Sequence, residues 1–310
     1  MTAAQMQKIF FAMGTVNTIT VFEEAEKALA AAKSRVTDLD HRLSAFSPDS
    51  EISAINRNAG IAPVQVSADT FSLIEHAVQY SEITGGCFDM TARTLAQLWK
   101  NAIPSGRMPD DASLHQAHES VNYQDILLDR KQQTVMLKHK GQQLDPGGSA
   151  KGYAADEVRR ILREYGVRNA VINLGGTVIN LGETRTIGLQ TPFALNGQYF
   201  ASLQIEDGTA VVSSGVYEQC RMIGRKRIHH IADPRTGFPS DSDLIGVTLI
   251  GNNAEELDAL ATAVLILGAA DSIEILRQRQ IGAVFITDDR QVFVTDDLRG
   301  KLNMREELFA

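Results

Sequence analysis

The spacing of apolar and polar positions divides the chain into strand and helix patterns in alternation. "KIFFAMGTVNTITVF" (8–22) reads as two strands joined at a Met-Gly-Thr turn. Apolar residues then recur at helical intervals through "EEAEKALAAAKSRVTDLDHRLSAF" (23–46), a stretch rich in strong helix formers. After a polar loop, "DTFSLIEHAVQYSEITGG" (69–86) predicts a second helix closed by glycines, and "TARTLAQLWK" (91–100) a third. Residues 103–120, with Pro104, Gly106 and Pro109, predict irregular chain. Residues 133–166 run strand, Gly-rich loop and helix, ending at Gly166, and "NAVINLGG" (169–176) is a short buried strand meeting a glycine pair. Short β segments dominate 184–250, among them "RIHHIADP" (227–234). A buried helix covers "ELDALATAVLILG" (256–268), a further helix lies near 271–280, and "GAVFITDDRQVFVT" (282–295) is a terminal hairpin. The interleaving has no regular βαβ repeat, no internal duplication and no linker composition. It predicts one α/β unit over 1–310, with room for two lobes.

One residue breaks the pattern. Asp258 lies among Leu257, Leu260, Ala261, Val264 and Leu265. A buried carboxylate needs a partner: an ion pair, hydrogen bonds or a metal. The start of the helix does not supply one. Asn253 with Glu256 makes a capping box, which puts Asp258 at the fifth helical position, where the macrodipole has largely faded. Thr262 follows one turn later on the same face, so the two form either an Asp–Thr hydrogen bond or a pair of oxygen ligands.

Composition narrows the chemistry. Of 310 residues, 44% are apolar and 22% charged, with 38 acids against 30 bases and a formal net charge of -8. That balance, without a basic run, argues against a nucleic-acid or anionic-membrane surface, so any anionic ligand must be held by local features. Cys87 and Cys220 are the only cysteines and make no CxxC, which argues against a zinc site or a disulfide framework and suits a reducing compartment. "MTAAQMQKIFFAMGT" lacks a signal-peptide core, and no apolar run reaches a membrane span, so a cytoplasmic location is expected.

Four other stretches carry candidate chemistry. "LDPGGSAKGY" (144–153) leads into a helix whose free N–H groups, with Lys151, suit a phosphate, although the same glycines suit a plain turn. It matches neither GxxxxGK[ST] nor GxGxxG. "HHIADPRTGFP" (229–239) puts two histidines in a β context, where alternation sends His230 and Ala232 to one face and His229 and Ile231 to the other. Asp233 suits a cap for the turn that follows. Asp89 in "GGCFDMTARTLAQLW" (85–99) is either an acid near a helix N-cap or a site residue. Ser213 and Ser214 in "VVSSGVYE" lack the GxSxG elbow of a serine hydrolase.

In combination these motifs say more than any one of them. "MGT", "RLSAFSPDSEISAIN", "GGCFDMTARTLAQLW", "LDPGGSAKGYAAD", "NLGG", "VVSSGVYE", "HHIADPRTG" and "LDALATAVLILG" occur in an order that resembles the ApbE family of FAD:protein FMN transferases, over roughly residues 10–270. The resemblance implies a two-lobed, T-fold-like mixed α+β architecture with FAD in the cleft between lobes. It implies Mg²⁺ held by Asp258, Thr262 and the Gly148 carbonyl, the answer it gives to the buried acid. It also implies FAD contacts from Met13 near the adenine, from Phe46 (where many relatives have Tyr), Phe88, Asp89, Asp145 and Lys151, and from Ile231. His230, three residues before the Asp-Pro, would be the general base and Asp258 the catalytic carboxylate. Thr177 departs from an Asp common in the family, and Cys87 stands where a small residue is usual. The implied reaction moves FMN from FAD to a Ser or Thr hydroxyl of an acceptor flavoprotein domain and releases AMP. Water as nucleophile would make the protein an FAD pyrophosphatase, and loss of turnover would make it a flavin-delivery protein; intact Asp258, Thr262 and His230 argue against the latter.

Overall fold

The structure, a computed structural model, describes residues 5–194, 197–217, 220–223 and 226–305. Residues 1–4 of the N-terminal stretch and Glu218 of "VVSSGVYE" lie outside the described residues. The helices are α1 (Glu26–Leu43), α2 (Glu51–Arg57), α3 (Ala68–Ile83), α4 (Arg93–Ser105), α5 (Asp111–Glu119), α6 (Ala150–Glu164), α7 (Ala254–Leu267) and α8 (Ala269–Gln278). The strands are β1 (Met6–Ala12), β2 (Thr15–Val21), β3 (Val64–Gln65), β4 (Ile126–Asp129), β5 (Thr134–Leu137), β6 (Ala170–Leu174), β7 (Thr177–Leu181) and β8 (Arg185–Gln190). They continue with β9 (Tyr199–Ile205), β10 (Ala210–Gly215), β11 (Cys220–Ile223), β12 (Lys226–His229), β13 (Leu244–Gly251), β14 (Gly282–Thr287), β15 (Val292–Val294) and β16 (Leu302–Met304).

An antiparallel sheet of eight strands, in the order β1-β2-β6-β7-β10-β13-β14-β15, organises the molecule. Its central strands are buried on both faces: 244–249 and 282–287 are buried at every position. In β10, Ala210 and Val212 join the main core, while Val211 points the other way. In β14, Ala283 and Phe285 do the same against Val284 and Ile286. Helices α1, α6 and α7 cover the first face through Leu29, Val158 and Leu260. Phe200 and Leu203 of the small β8–β9–β16 sheet cover the second. A third cluster joins α4 to the β11–β12 hairpin through Leu95, Trp99, Ala102 and Ile228. The architecture is mixed α and β, and among the described residues no helix is long and apolar enough to cross a membrane.

Three sequence expectations are corrected. The polar stretch after α1 is not all loop: it holds α2, capped by Ser50, which accepts from the Ser53 N–H at 3.0 Å. Residues 103–120 are not irregular. Pro104 falls in the last turn of α4, where a missing N–H costs only one intrahelical bond, and Gly106 ends that helix with φ 66°. Asp110 then caps α5 by accepting from the Ser113 N–H at 2.9 Å. Because α5 buries no residue, it leaves no periodic signal. Likewise, 227–234 is not one strand. β12 stops at His229, and the chain turns back through an Ala232–Pro239 bridge.

Candidate functional site

Helices α6 and α7 meet at their N-termini, and Gly152 sets how closely. A Cβ at this position would lie 2.2 Å from the Ala254 carbonyl oxygen and 2.6 Å from the Glu255 Cα, so only glycine fits. The two helix starts then satisfy each other. Asp156 on α6 accepts from the Glu255 N–H at 3.1 Å, and Asp258 on α7 accepts from the Gly152 N–H at 3.1 Å. Lys151 completes the pairing, with Nζ 3.4 Å from each Asp258 carboxylate oxygen. Asp258 is 4% exposed, and the acid in the apolar helix is paired across the helix boundary with an ammonium and an amide.

The Lys151 ammonium also donates to the Gly147 carbonyl at 3.2 Å, so three oxygens surround one positive charge. Thr262 lies a turn beyond Asp258. A Cβ on Gly148 would come within 3.7 Å of the Thr262 Oγ1 and 3.0 Å of the Phe88 ring, so the loop at 148 packs close to this hydroxyl. A carboxylate, a hydroxyl and loop carbonyls are hard oxygen donors, the set that suits Mg²⁺. One carboxylate, one hydroxyl and a loop carbonyl would leave coordination positions for water and ligand oxygens. The residues fit an open magnesium site.

The Gly-rich loop is held from two sides. Asn56 exchanges two hydrogen bonds with the Leu144 backbone, at 2.7 and 3.1 Å, and the Asp145 N–H donates to the Met90 carbonyl at 2.9 Å. Asp145 turns the loop by accepting from the Gly147 N–H at 3.0 Å. Asp89 is engaged by its own segment. It accepts from the Thr91 N–H and hydroxyl at 2.7 and 2.6 Å and from the Tyr123 N–H at 2.9 Å, and burial pushes its carboxyl up. Ala92, not Asp89, precedes α4, so Asp89 is no N-cap. Phe88 is buried against Tyr80 in an edge-on contact.

A further part of the wall comes from the turn after β12. Asp233 caps it, accepting from the Arg235 N–H at 2.9 Å, and the buried Trp99 indole donates to the Gly237 carbonyl at 2.8 Å. The two neighbouring histidines separate here. His229 is buried, its Nε2 lies 3.2 Å from the Ser240 carbonyl, and burial pushes its pKa down to about 4. His230 instead lines the cavity.

That cavity, about 380 Å³, gathers Phe46, Phe88, Asp89, Asp145, Gly148, Lys151, His230, Ile231, Asp258 and Thr262 on one wall or another. Thr177 and Cys87 line it too; Cys87 is a buried thiol pushed up to about 11 by desolvation. Met13 does not line it. It sits in the β1–β2 turn with φ 54°, partly buried against the main core. Arg93 and Lys100, one α4 face, line the cavity without having been singled out from sequence, as neither belongs to a recognisable motif. Gly152, Asn56 and Trp99 act from behind the walls, where only the packing of distant segments brings them.

Comparisons with known proteins agree with this arrangement. The chain is 38% identical over 252 residues, 81% of its length and 79% of the relative's, to a protein of Klebsiella pneumoniae (strain 342) named FAD:protein FMN transferase. A protein of Treponema pallidum (strain Nichols) with the same name is 31% identical over 322 residues, 96% of this chain and 89% of that one. The crystal structure of the ApbE protein of Thermotoga maritima superposes with a TM-score of 0.86 at 27% identity, covering 98% of this chain and 100% of the other. The family model described as ApbE family matches residues 13–285, and the chain belongs to the ApbE family.

Proposed function

We propose that this protein transfers the FMN moiety of FAD to a Ser or Thr hydroxyl of an acceptor flavoprotein, forming a phosphoester and releasing AMP. The observation that carries the reading is the meeting, in one cavity, of an oxygen donor set (Asp258, Thr262 and the loop at Gly148) with His230. The names of the two relatives at 38% and 31% identity support the same activity. Asp258, Thr262 and the Gly148 carbonyl would hold Mg²⁺. When bound, the metal supplies Lewis-acid polarisation of a phosphate oxygen and charge neutralisation.

The chain's own residues do the rest. The α6 N-terminus and Lys151 bind the diphosphate. Phe46 and Ile231 border the space for the flavin, and Phe88 packs beneath the loop. His230 takes the proton from the acceptor hydroxyl as its oxygen attacks the FMN-side phosphorus in line. The phosphorus–oxygen bond to AMP breaks, and AMP leaves as a phosphate monoester. Buried and held in the wrong range for a base near neutral pH, His229 takes no part. Two free cysteines suit a reducing compartment, and we place the acceptor in the cytoplasm on that ground. The test is AMP release from FAD and Mg²⁺, measured chromatographically with and without an acceptor domain. Release that rises with acceptor supports transfer; release indifferent to it supports hydrolysis.

A further inference from the structure

Arg93 is a cation at the electropositive end of a helix. It is the first residue of α4, whose N-cap Ala92 makes no side-chain bond and whose first turn has no acid. The helix dipole disfavours a positive charge there, so α4 gains nothing from this residue. Two of its three side-chain partners, Phe46 and Asp145, line the cavity instead. The guanidinium carbon sits 4.6 Å from the centroid of the Phe46 ring, Nε donates to Gln143 Oε1 at 3.0 Å, and one terminal nitrogen lies 3.5 Å from Asp145 Oδ2. An Ala92–Gln143 bridge fixes the backbone beneath these contacts. The Arg93 side chain is 16% exposed, while Phe46, on the loop after α1, is 71% exposed. A residue that breaks a local rule while serving a cavity marks function.

We propose that Arg93 is a positioning residue for the flavin substrate, an inference that rests on the flavin-transfer reading above. It holds the exposed Phe46 ring by stacking on it, so that the ring is presented as a flat face for the isoalloxazine. It also neutralises Asp145 where an anionic diphosphate has to enter. Only a planar guanidinium serves both ends, because the stack uses its flat face while the carboxylate contact uses its N–H edge.

The test is a double-mutant cycle on FAD binding, followed by the visible flavin absorption band without acceptor. It compares the parent, Arg93→Ala, Phe46→Ala, the double variant and Arg93→Lys. Arg93→Ala should weaken FAD binding about 5- to 10-fold, and raise KM alike, with kcat within about twofold and no fall in Tm. In the Phe46→Ala background the same change should cost about 2- to 5-fold less, the share owed to the cation–π contact. Arg93→Lys keeps the charge and should regain only part of the affinity. Equal losses in both backgrounds, a parent-like Lys variant, or a lower Tm with unchanged affinity would each overturn the proposal while leaving flavin transfer standing. A parent protein that binds no FAD would overturn both.

Discussion

Replacing Gly152 with alanine would place a methyl carbon 2.2 Å from the Ala254 carbonyl oxygen and 2.5 Å from the carbonyl carbon. Carbon and oxygen approach to about 3.3 Å at closest, so α6 and α7 must separate by roughly 1 Å. Two effects compete. Alanine inside a helix is favoured over glycine by about 1 kcal/mol, whereas overpacking costs about 1–3 kcal/mol. Because the obstructing atoms are backbone, which cannot rotate away, the upper end applies and the net loss should be about 2 kcal/mol. At about 2 °C per kcal/mol for a chain this long, Tm should fall by about 4 °C. The same displacement pulls Asp258 from the Gly152 N–H and from Lys151, and a 1 Å misplacement typically costs about 10²-fold in rate. Calorimetry and FAD turnover at saturating Mg²⁺ read the two effects. A variant that melts above the parent with full turnover would show that the helix contact is soft and does not place the carboxylate.

Further outcomes follow from other contacts. Asp258→Asn removes the carboxylate charge and should reduce Mg²⁺-dependent turnover to background, with about 1.5–3 kcal/mol lost from its charge-assisted bonds; equal rates at saturating Mg²⁺ would sink the metal assignment. His230→Ala should slow transfer about 10²–10⁴-fold with FAD affinity nearly unchanged, and a severe loss from His229→Ala alone would show that the wrong imidazole was chosen. Since burial lowers His229 to about 4, the unfolded chain binds the extra proton first as pH falls from about 6.5, the ordinary value. The parent should lose up to about 3 kcal/mol between pH 6.5 and 4 that a His229→Gln variant keeps, and parallel pH profiles in urea unfolding would refute this. Trp99→Phe removes part of a fully buried ring and leaves the Gly237 carbonyl without its donor, so unfolding in urea should show at least about 1 kcal/mol lost; no change would mean that the bond contributes nothing to the turn carrying His230.

Much of the frame is readable from periodicity because the elements that build the core have strong patterns. α1, α6 and α7 bury continuous apolar stripes, and Asn253 caps α7 where the motif predicts. α5 escaped because all its side chains are at least partly exposed, and the two-residue β3 is too short to carry alternation. At the site, sequence singled out Asp258 because a charge among apolar neighbours conflicts with burial, a conflict visible in one dimension. It did not identify Lys151 and Gly152 as the acid's partners, since they lie 107 and 106 residues away and meet it only through helix packing. Arg93 and Trp99 look ordinary in the chain for the same reason. His229 and His230 were separated by strand alternation, yet the strand ends between them, and it is the turn pinned by Trp99 that directs His230 to the cavity.

The central claim is that the flavin ends on a protein hydroxyl. A candidate flavoprotein domain is incubated with the enzyme, FAD and Mg²⁺, and its intact mass is measured beside a variant in which the target Ser or Thr is Ala. The account predicts that the parent domain gains the mass of FMN less one water, that the Ala variant gains nothing, and that AMP accumulates only with the former. An unlabelled domain beside rapid conversion of FAD to FMN and AMP would contradict it and make the protein a hydrolase.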